Sequence, residues 1–134
     1  MISYYKTGEH GLEAVEEIVK NCWISVVDPT PDELTELRAL DIPPEFITYP
    51  LDLDERPRVE REEGYTLILL RVPYHQGDAS DLPYTTIPLG IVLNGQWIMT
   101  ICRHDHELLH EFVAGKIRGL ATAKRNRFIL HMLL

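Results

Sequence analysis

Hydrophobic and polar positions switch between two periods along this chain, and the switches divide it into short strands and helices. Residues 2–6 and Trp23–Val27 (Trp-Ile-Ser-Val-Val) carry the aromatic and β-branched content of strands. Between them, residues 12–19 fit both periods. Leu12, Val15, Ile18 and Val19 suit a helix, while Leu12, Ala14 and Ile18 tolerate alternation. After Val27 the pattern becomes helical with a defined start. Thr30 is a good N-cap, Pro31 suits the first helical position, and Glu33 completes a capping box with Thr30. Leu34, Leu37 and Leu40 then form one apolar stripe, and Asp41-Ile42-Pro43-Pro44 ends the helix.

The second half predicts the body of a sheet. Residues 58–61 and 65–72 flank a Glu62-Glu63-Gly64 turn, and the second run (Tyr-Thr-Leu-Ile-Leu-Leu-Arg-Val) reads as a central strand buried on both faces. A polar loop over 76–81 follows. Residues 87–93 and 96–102 are strands joined at Asn94-Gly95, the dipeptide that favours a tight two-residue hairpin. Asp105 caps a helix whose apolar positions Leu109, Phe112, Val113 and Ile117 keep the 3.6 period. The last segment, 121–134, is basic first and apolar afterwards. It reaches Met132-Leu133-Leu134 without a capping glycine, which predicts a helix that continues in a longer protein. A terminal helix docking on the sheet is the plainer account of the same residues.

Composition narrows the function classes. A 134-residue chain with 45% hydrophobic residues makes one globular domain with its own core. The formal net charge of −8, from 21 acids and 13 bases, disfavours nucleic acid and anionic membrane surfaces and favours cations as partners. No apolar run approaches the roughly 20 residues that a bilayer-spanning helix needs, and the first residues lack the basic-then-apolar order of a signal peptide. These features predict a cytoplasmic type of domain. Cys22 and Cys102 stand far apart beside apolar runs, which predicts buried, reduced thiols and neither a disulfide framework nor a zinc ribbon.

One catalytic pattern is present in letters. His106-Glu107-Leu108-Leu109-His110 matches HExxH, in which two histidines one helical turn apart bind zinc and the Glu serves as general base. The chemistry needs a third protein ligand. Downstream stand only Glu111 and His131, and the offsets where a metzincin has Gly and His hold Val113 and Lys116. His104 is the other imidazole within reach, in an arrangement no zincin uses. The reading without zinc is an amphipathic helix whose polar flank carries His, Glu and His, and it predicts a chain that is not an enzyme. Asp52, Asp54 and Glu55 form an acidic patch ahead of Arg56-Pro57-Arg58, with the oxygen ligands that hard divalent cations take.

That patch also carries a resemblance. Residues 51–60 (Leu-Asp-Leu-Asp-Glu-Arg-Pro-Arg-Val-Glu), followed by Tyr65-Thr66-Leu67-Ile68-Leu69, resemble the N-terminal cytoplasmic domain of CorA-type magnesium transporters. Trp23-Ile24 with Asp28-Pro29-Thr30 and an acidic helix start is similar to the same family, as is the hairpin over 88–102 with Thr100 near its end. The resemblance runs from about Trp23 onward. It implies an α/β/α sandwich with a mixed central sheet, whose last helix leads toward a stalk, two transmembrane helices and a Gly-Met-Asn filter loop. The chain contains no Gly-Met-Asn, so it is not the pore. The family implies further a regulatory and assembly domain of a homopentamer. Its partners are other copies of itself and its own transmembrane segment, with divalent ions such as Mg²⁺ held between subunits. Thr48-Tyr49-Pro50 stand where better-known members carry Glu-Asp-Ile, so the family's carboxylate has no counterpart there, and Asp52 and Asp54 are the acids that stand in as metal contacts. Two alternatives remain: a zinc-dependent hydrolase on 106–110, and a stand-alone binding domain of the same fold.

Overall fold

A computed structural model describes residues 1–8, 11–75 and 84–105. They form one seven-stranded sheet in the order β2-β1-β3-β7-β6-β5-β4. The strands are β1 (Ile2–Gly8), β2 (Gly11–Val15), β3 (Trp23–Val27), β4 (Arg58–Glu62), β5 (Tyr65–His75), β6 (Tyr84–Leu93) and β7 (Ile98–Cys102). Two short helices, α1 (Pro31–Arg38) and α2 (Pro44–Thr48), and a 3₁₀ turn over Tyr49–Leu51 lie between β3 and β4. The sheet is mixed. β3 and β7 run parallel, with Trp23 opposite Ile98 and Val27 opposite Cys102, and the other pairs are antiparallel.

Period-2 alternation divides the strands between two cores. Ile24, Val26, Leu67, Leu69, Val92, Met99 and Ile101 face one side, where Leu37 of α1 and Phe46 and Ile47 of α2 pack on them. Trp23, Val72, Ile87, Leu89, Ile91, Ile98 and Cys102 form a second buried cluster on the opposite face. The mixed α/β fold is the expected one. The helix read over 105–117 and the closing segment 121–134 lie outside the described residues, apart from Asp105.

Helix α1 starts as its sequence dictates. Thr30 Oγ1 accepts from the Glu33 N–H at 3.2 Å, and Glu33 Oε1 accepts from the Thr30 N–H at 3.0 Å. Glu33 Oε2 also accepts from the Ile2 N–H at 2.9 Å, so the cap fastens β1 to the helix. The C-terminal stop comes one residue after Arg38, and Asp41 takes a left-handed φ of 62°. Pro43-Pro44 does more than end a helix. Pro44 sits at the first position of α2, where a missing N–H costs nothing, and the turn buries Phe46 and Ile47.

Residues 12–19, left open between helix and strand by their pattern, form strand β2 as far as Val15, because hairpin pairing with β1 supplies the hydrogen bonds that a short exposed helix lacks. Three sequence expectations need correction. β5 is not central. It lies next to edge strand β4, and Ile68 and Leu70 are only half-buried; the fully buried middle strand is β7. β6 begins at Tyr84, earlier than residue 87. The Asn94-Gly95 link is not a two-residue turn: Leu93 pairs with Ile98, four residues lie between, and only Gly95 has positive φ. Asn94 Oδ1 instead accepts from the N–H groups of Gln96 (2.9 Å) and Trp97 (3.1 Å). This frees Trp97 to leave the ladder and pack beside Tyr65, with ring centroids 6.2 Å apart. The two-residue turn is at Glu63-Gly64, where both φ values are positive (52° and 84°) and Glu62 pairs with Tyr65.

Gly90 sets how closely the 3₁₀ turn approaches the sheet. A Cβ on Gly90 would lie 2.2 Å from Pro50 Cγ and 2.8 Å from Pro50 Cβ. Gly90→Ala is therefore expected to cost about 1–3 kcal/mol by overpacking. In urea unfolding, Pro50→Ala should cost less in the Gly90→Ala background than in wild type, because it removes the closest clashing atom.

Glu33 makes stability depend on pH. The Thr30 N–H, and then the amino terminus and the Ile2 N–H, hold its carboxyl below the ordinary value of 4.5. The unfolded chain then binds more protons in that window, so the stabilisation is complete above 4.5 and lost as pH falls through the folded value. Glu33→Gln keeps a capping acceptor without the charge. It should flatten the acid limb of unfolding free energy against pH and leave the neutral plateau lower.

Candidate functional site

The acidic patch and the Arg-Pro motif fall on one strap, residues 49–58, which connects α2 to edge strand β4. The strap turns twice using its own backbone. Asp52 N–H donates to the Tyr49 carbonyl at 3.1 Å, and Glu55 N–H donates to the Asp52 carbonyl at 3.1 Å. Asp52 Oδ1 accepts from the Asp54 N–H at 3.0 Å, the local turn that aspartate favours. Pro50 is buried against Gly90, whereas Asp52, Leu53 and Asp54 are exposed. The two candidate metal contacts thus stand on one solvent-facing turn, and one carboxylate oxygen of Asp52 is already engaged.

Three arginines from the sheet hold this strap. Arg71 of β5 donates through Nη1 to the carbonyls of Leu53 (3.1 Å) and Glu55 (2.9 Å). Its Nε and Nη2 donate to Thr86 Oγ1 (2.8 Å) and Thr86 O (2.7 Å) on β6. Arg103, just after β7, donates to the Leu51 carbonyl through Nη2 at 3.1 Å and Nε at 3.3 Å. Arg58 of β4 donates to the Glu55 carboxylate and to the Arg56 carbonyl at 3.2 Å. Its guanidinium also lies 4.6 Å from the centroid of the Tyr49 ring, within cation–π range. Glu55, and more weakly Glu60, push Arg58 above the ordinary arginine value against the opposing effect of burial. Glu60 Oε2 sits 3.4 Å from Arg58 Nε as an ion pair without hydrogen-bond geometry.

The sequence motif pointed to Arg56 and Arg58 but missed Arg71 and Arg103. Arg71 did leave a signal. It shares period-2 parity with the buried Leu67 and Leu69, so a charge there requires partners. Arg103 left none.

Among the described residues no group of three or more His, Cys, Asp or Glu side chains is placed to hold a metal ion. His106, Glu107 and His110 lie outside the described residues. His104, the alternative third imidazole, lies flat on the Tyr74 ring with centroids 4.8 Å apart and planes 17° apart. No helix among the described residues is long and apolar enough to cross a membrane.

The two cysteines are free and buried on opposite faces of the sheet. Burial, and then Asp105, push the Cys102 thiol up to about 12, and burial also raises Cys22. The thiolate is the reactive form. Neither cysteine should react with a disulfide reagent at neutral pH in the native protein, whereas both should react stoichiometrically in denaturant.

A mixed sheet with its helices threaded between parallel β3 and β7 defines a class of α/β domain with counterparts of known structure. The model of the CorA-like Mg²⁺ transporter protein family matches residues 19–125, and the chain belongs to that family. The cobalt/magnesium transport protein CorA of Methanocaldococcus jannaschii is 30% identical over 108 residues, covering 80% of this chain and 31% of that protein. The soluble domain of CorA from the same organism superposes with a TM-score of 0.76 at 26% identity, over 99% of this chain and 54% of that one. The ZntB cytoplasmic domain of Vibrio parahaemolyticus shares the fold at 14% identity, with a TM-score of 0.68 over 97% of this chain and 56% of that one. The chain therefore spans about a third of the curated relative and about half of the solved domains.

Proposed function

We propose that these residues form the cytoplasmic regulatory and assembly domain of a homopentameric membrane transporter for Mg²⁺ or another divalent ion. In this reading the domain is neither the pore nor an enzyme. The observation that carries it is the family match over residues 19–125, supported by the likeness to a CorA soluble domain over nearly the whole chain. Its partners are other copies of the chain and the transmembrane segment of the parent protein; nucleic acid is not among them. The net charge of −8 suits the accumulation of cations at the surface. Mg²⁺ keeps several waters and needs only one or two carboxylates, so exposed acids such as Asp52 and Asp54 are adequate ligands once a neighbouring copy completes the shell.

The reading predicts that the full-length protein restores Mg²⁺ or Co²⁺ uptake to cells lacking their own route. Absence of uptake for every divalent ion, with the protein present in the membrane, would count against it. The two aspartates are tested separately. Thermal melts of wild type and of Asp52→Asn/Asp54→Asn are compared in MgCl₂ and in NaCl at equal ionic strength. A bound ion at ten times its Kd adds about 1.4 kcal/mol, whereas screening is matched by NaCl. An Mg²⁺-specific gain that the double variant loses supports these contacts. Equal gains in both salts remove the two aspartates and leave the transporter reading in place.

A further inference from the structure

The geometry points to the strap over residues 49–58 as a latch that opens and closes as one unit, with Arg71 and Arg103 as its clasp. Three of its carbonyls, those of Leu51, Leu53 and Glu55, accept from guanidinium groups anchored on β5 and just after β7. The sheet-side contacts are convergent. Arg71 spends one nitrogen on two strap carbonyls while its other donors are fixed on Thr86. Arg103 straddles the Leu51 carbonyl with two donors.

The strap's own hydrogen bonds are local, three residues or fewer in span, so its two turns persist only while the strap is held against the sheet and loosen when it is released. Its place depends on the clasp and on the seating of Pro50 at Gly90. Because Arg71 and Arg103 bind neutral carbonyls, and guanidinium does not titrate in the accessible range, the latch is independent of pH above the carboxylate range. The charges that face these arginines are carboxylates, Glu55 and Glu60 at Arg58 and Asp28 at 3.8 Å from Arg103 Nη1, and all of them stay ionised between pH 6 and 8. Opening would release Asp52, Leu53 and Asp54 from their fixed presentation without unpairing a strand. This inference does not depend on transport or on metal binding.

Amide exchange in the native domain, followed residue by residue by NMR, tests it. The reporters are the N–H groups of Asp52, Asp54 and Glu55, with Met99 and Ile101 of β7 as core controls. The latch predicts one common opening for the three reporters after correction for intrinsic rates, unchanged between pH 6 and 8. Arg71→Lys keeps one nitrogen for the carbonyls but loses the Nε and Nη2 donors that fix it on Thr86. It should speed the three together by at least about tenfold, corresponding to about 1.4 kcal/mol, with the β7 amides unchanged. Arg103→Lys, at a more exposed side chain, should do the same to a smaller degree and serves if the Arg71 variant does not fold. Three unrelated opening constants, or reporter and β7 amides accelerating equally, would overturn the latch.

Discussion

The parallel pairing of β3 with β7 is the constraint on which the rest of the structure depends. Trp23 and Thr100 are both fully buried, and each carries a polar group that must find a partner there. They find each other: Trp23 Nε1 donates to Thr100 Oγ1 at 2.9 Å across 77 residues of chain. Backbone bonds continue the join beyond the paired residues at each end. Ile98 N–H donates to the Cys22 carbonyl, and Asp28 N–H to that of Cys102. Parallel neighbours cannot be joined by a tight turn, so everything between Val27 and Ile98 is in effect the crossover. The helices, the strap and the β4–β5–β6 meander are all contained in it.

That crossover explains why the strap lies where it does. The chain leaves β3, buries one apolar face through α1 and α2, and must then reach the far edge of the sheet to begin β4. It crosses the sheet close to β6, where Gly90 leaves room for Pro50 and no side chain larger than hydrogen fits. A crossing segment has backbone carbonyls facing the sheet and no ladder to pair them. Guanidinium groups meet that need better than ammonium groups, because one planar fork satisfies two acceptors at once. Thus the feature that resembles a regulatory motif in sequence is also the solution to a packing problem.

Much of this was legible in the residues, and the misreadings have physical causes. The capping box at Thr30–Glu33 was readable because all its determinants lie within four residues. The strands β3 and β7 were readable from their aromatic and β-branched content. Strand rank was not, since an apolar run looks alike in the middle of a sheet and one strand from its edge. The two X-Gly turns show the limit most clearly. Glu63-Gly64 and Asn94-Gly95 offer the same glycine, yet only the first forms the two-residue turn. Asparagine is the better residue for positive φ, but Asn94 spends its side chain on two N–H groups, and Trp97 gains burial beside Tyr65 by leaving the ladder. A tertiary contact overrode the local preference. The arginine clasp was invisible as a group because its members, Arg71 and Arg103, are brought to the strap by topology alone.

The clasp also bears on what the acidic strap can do. Arg71 and Arg103, bonded to the carbonyls of Leu51, Leu53 and Glu55, place positive charge beside the turn that carries Asp52 and Asp54, whereas Arg58 is offset by Glu55 and Glu60. Like charge at short range lowers the attraction of the turn for a cation, more so where the medium is less polarisable than water. The exposed turn is also short of ligands, since one oxygen of Asp52 is held by the Asp54 N–H. A divalent ion at this strap therefore draws little affinity from one copy of the chain. On the proposed reading, the missing ligands and negative charge come from a second copy. On that reading binding there is coupled to assembly, because the arginines that hold the strap's carbonyls also weaken its pull on a cation in a lone copy.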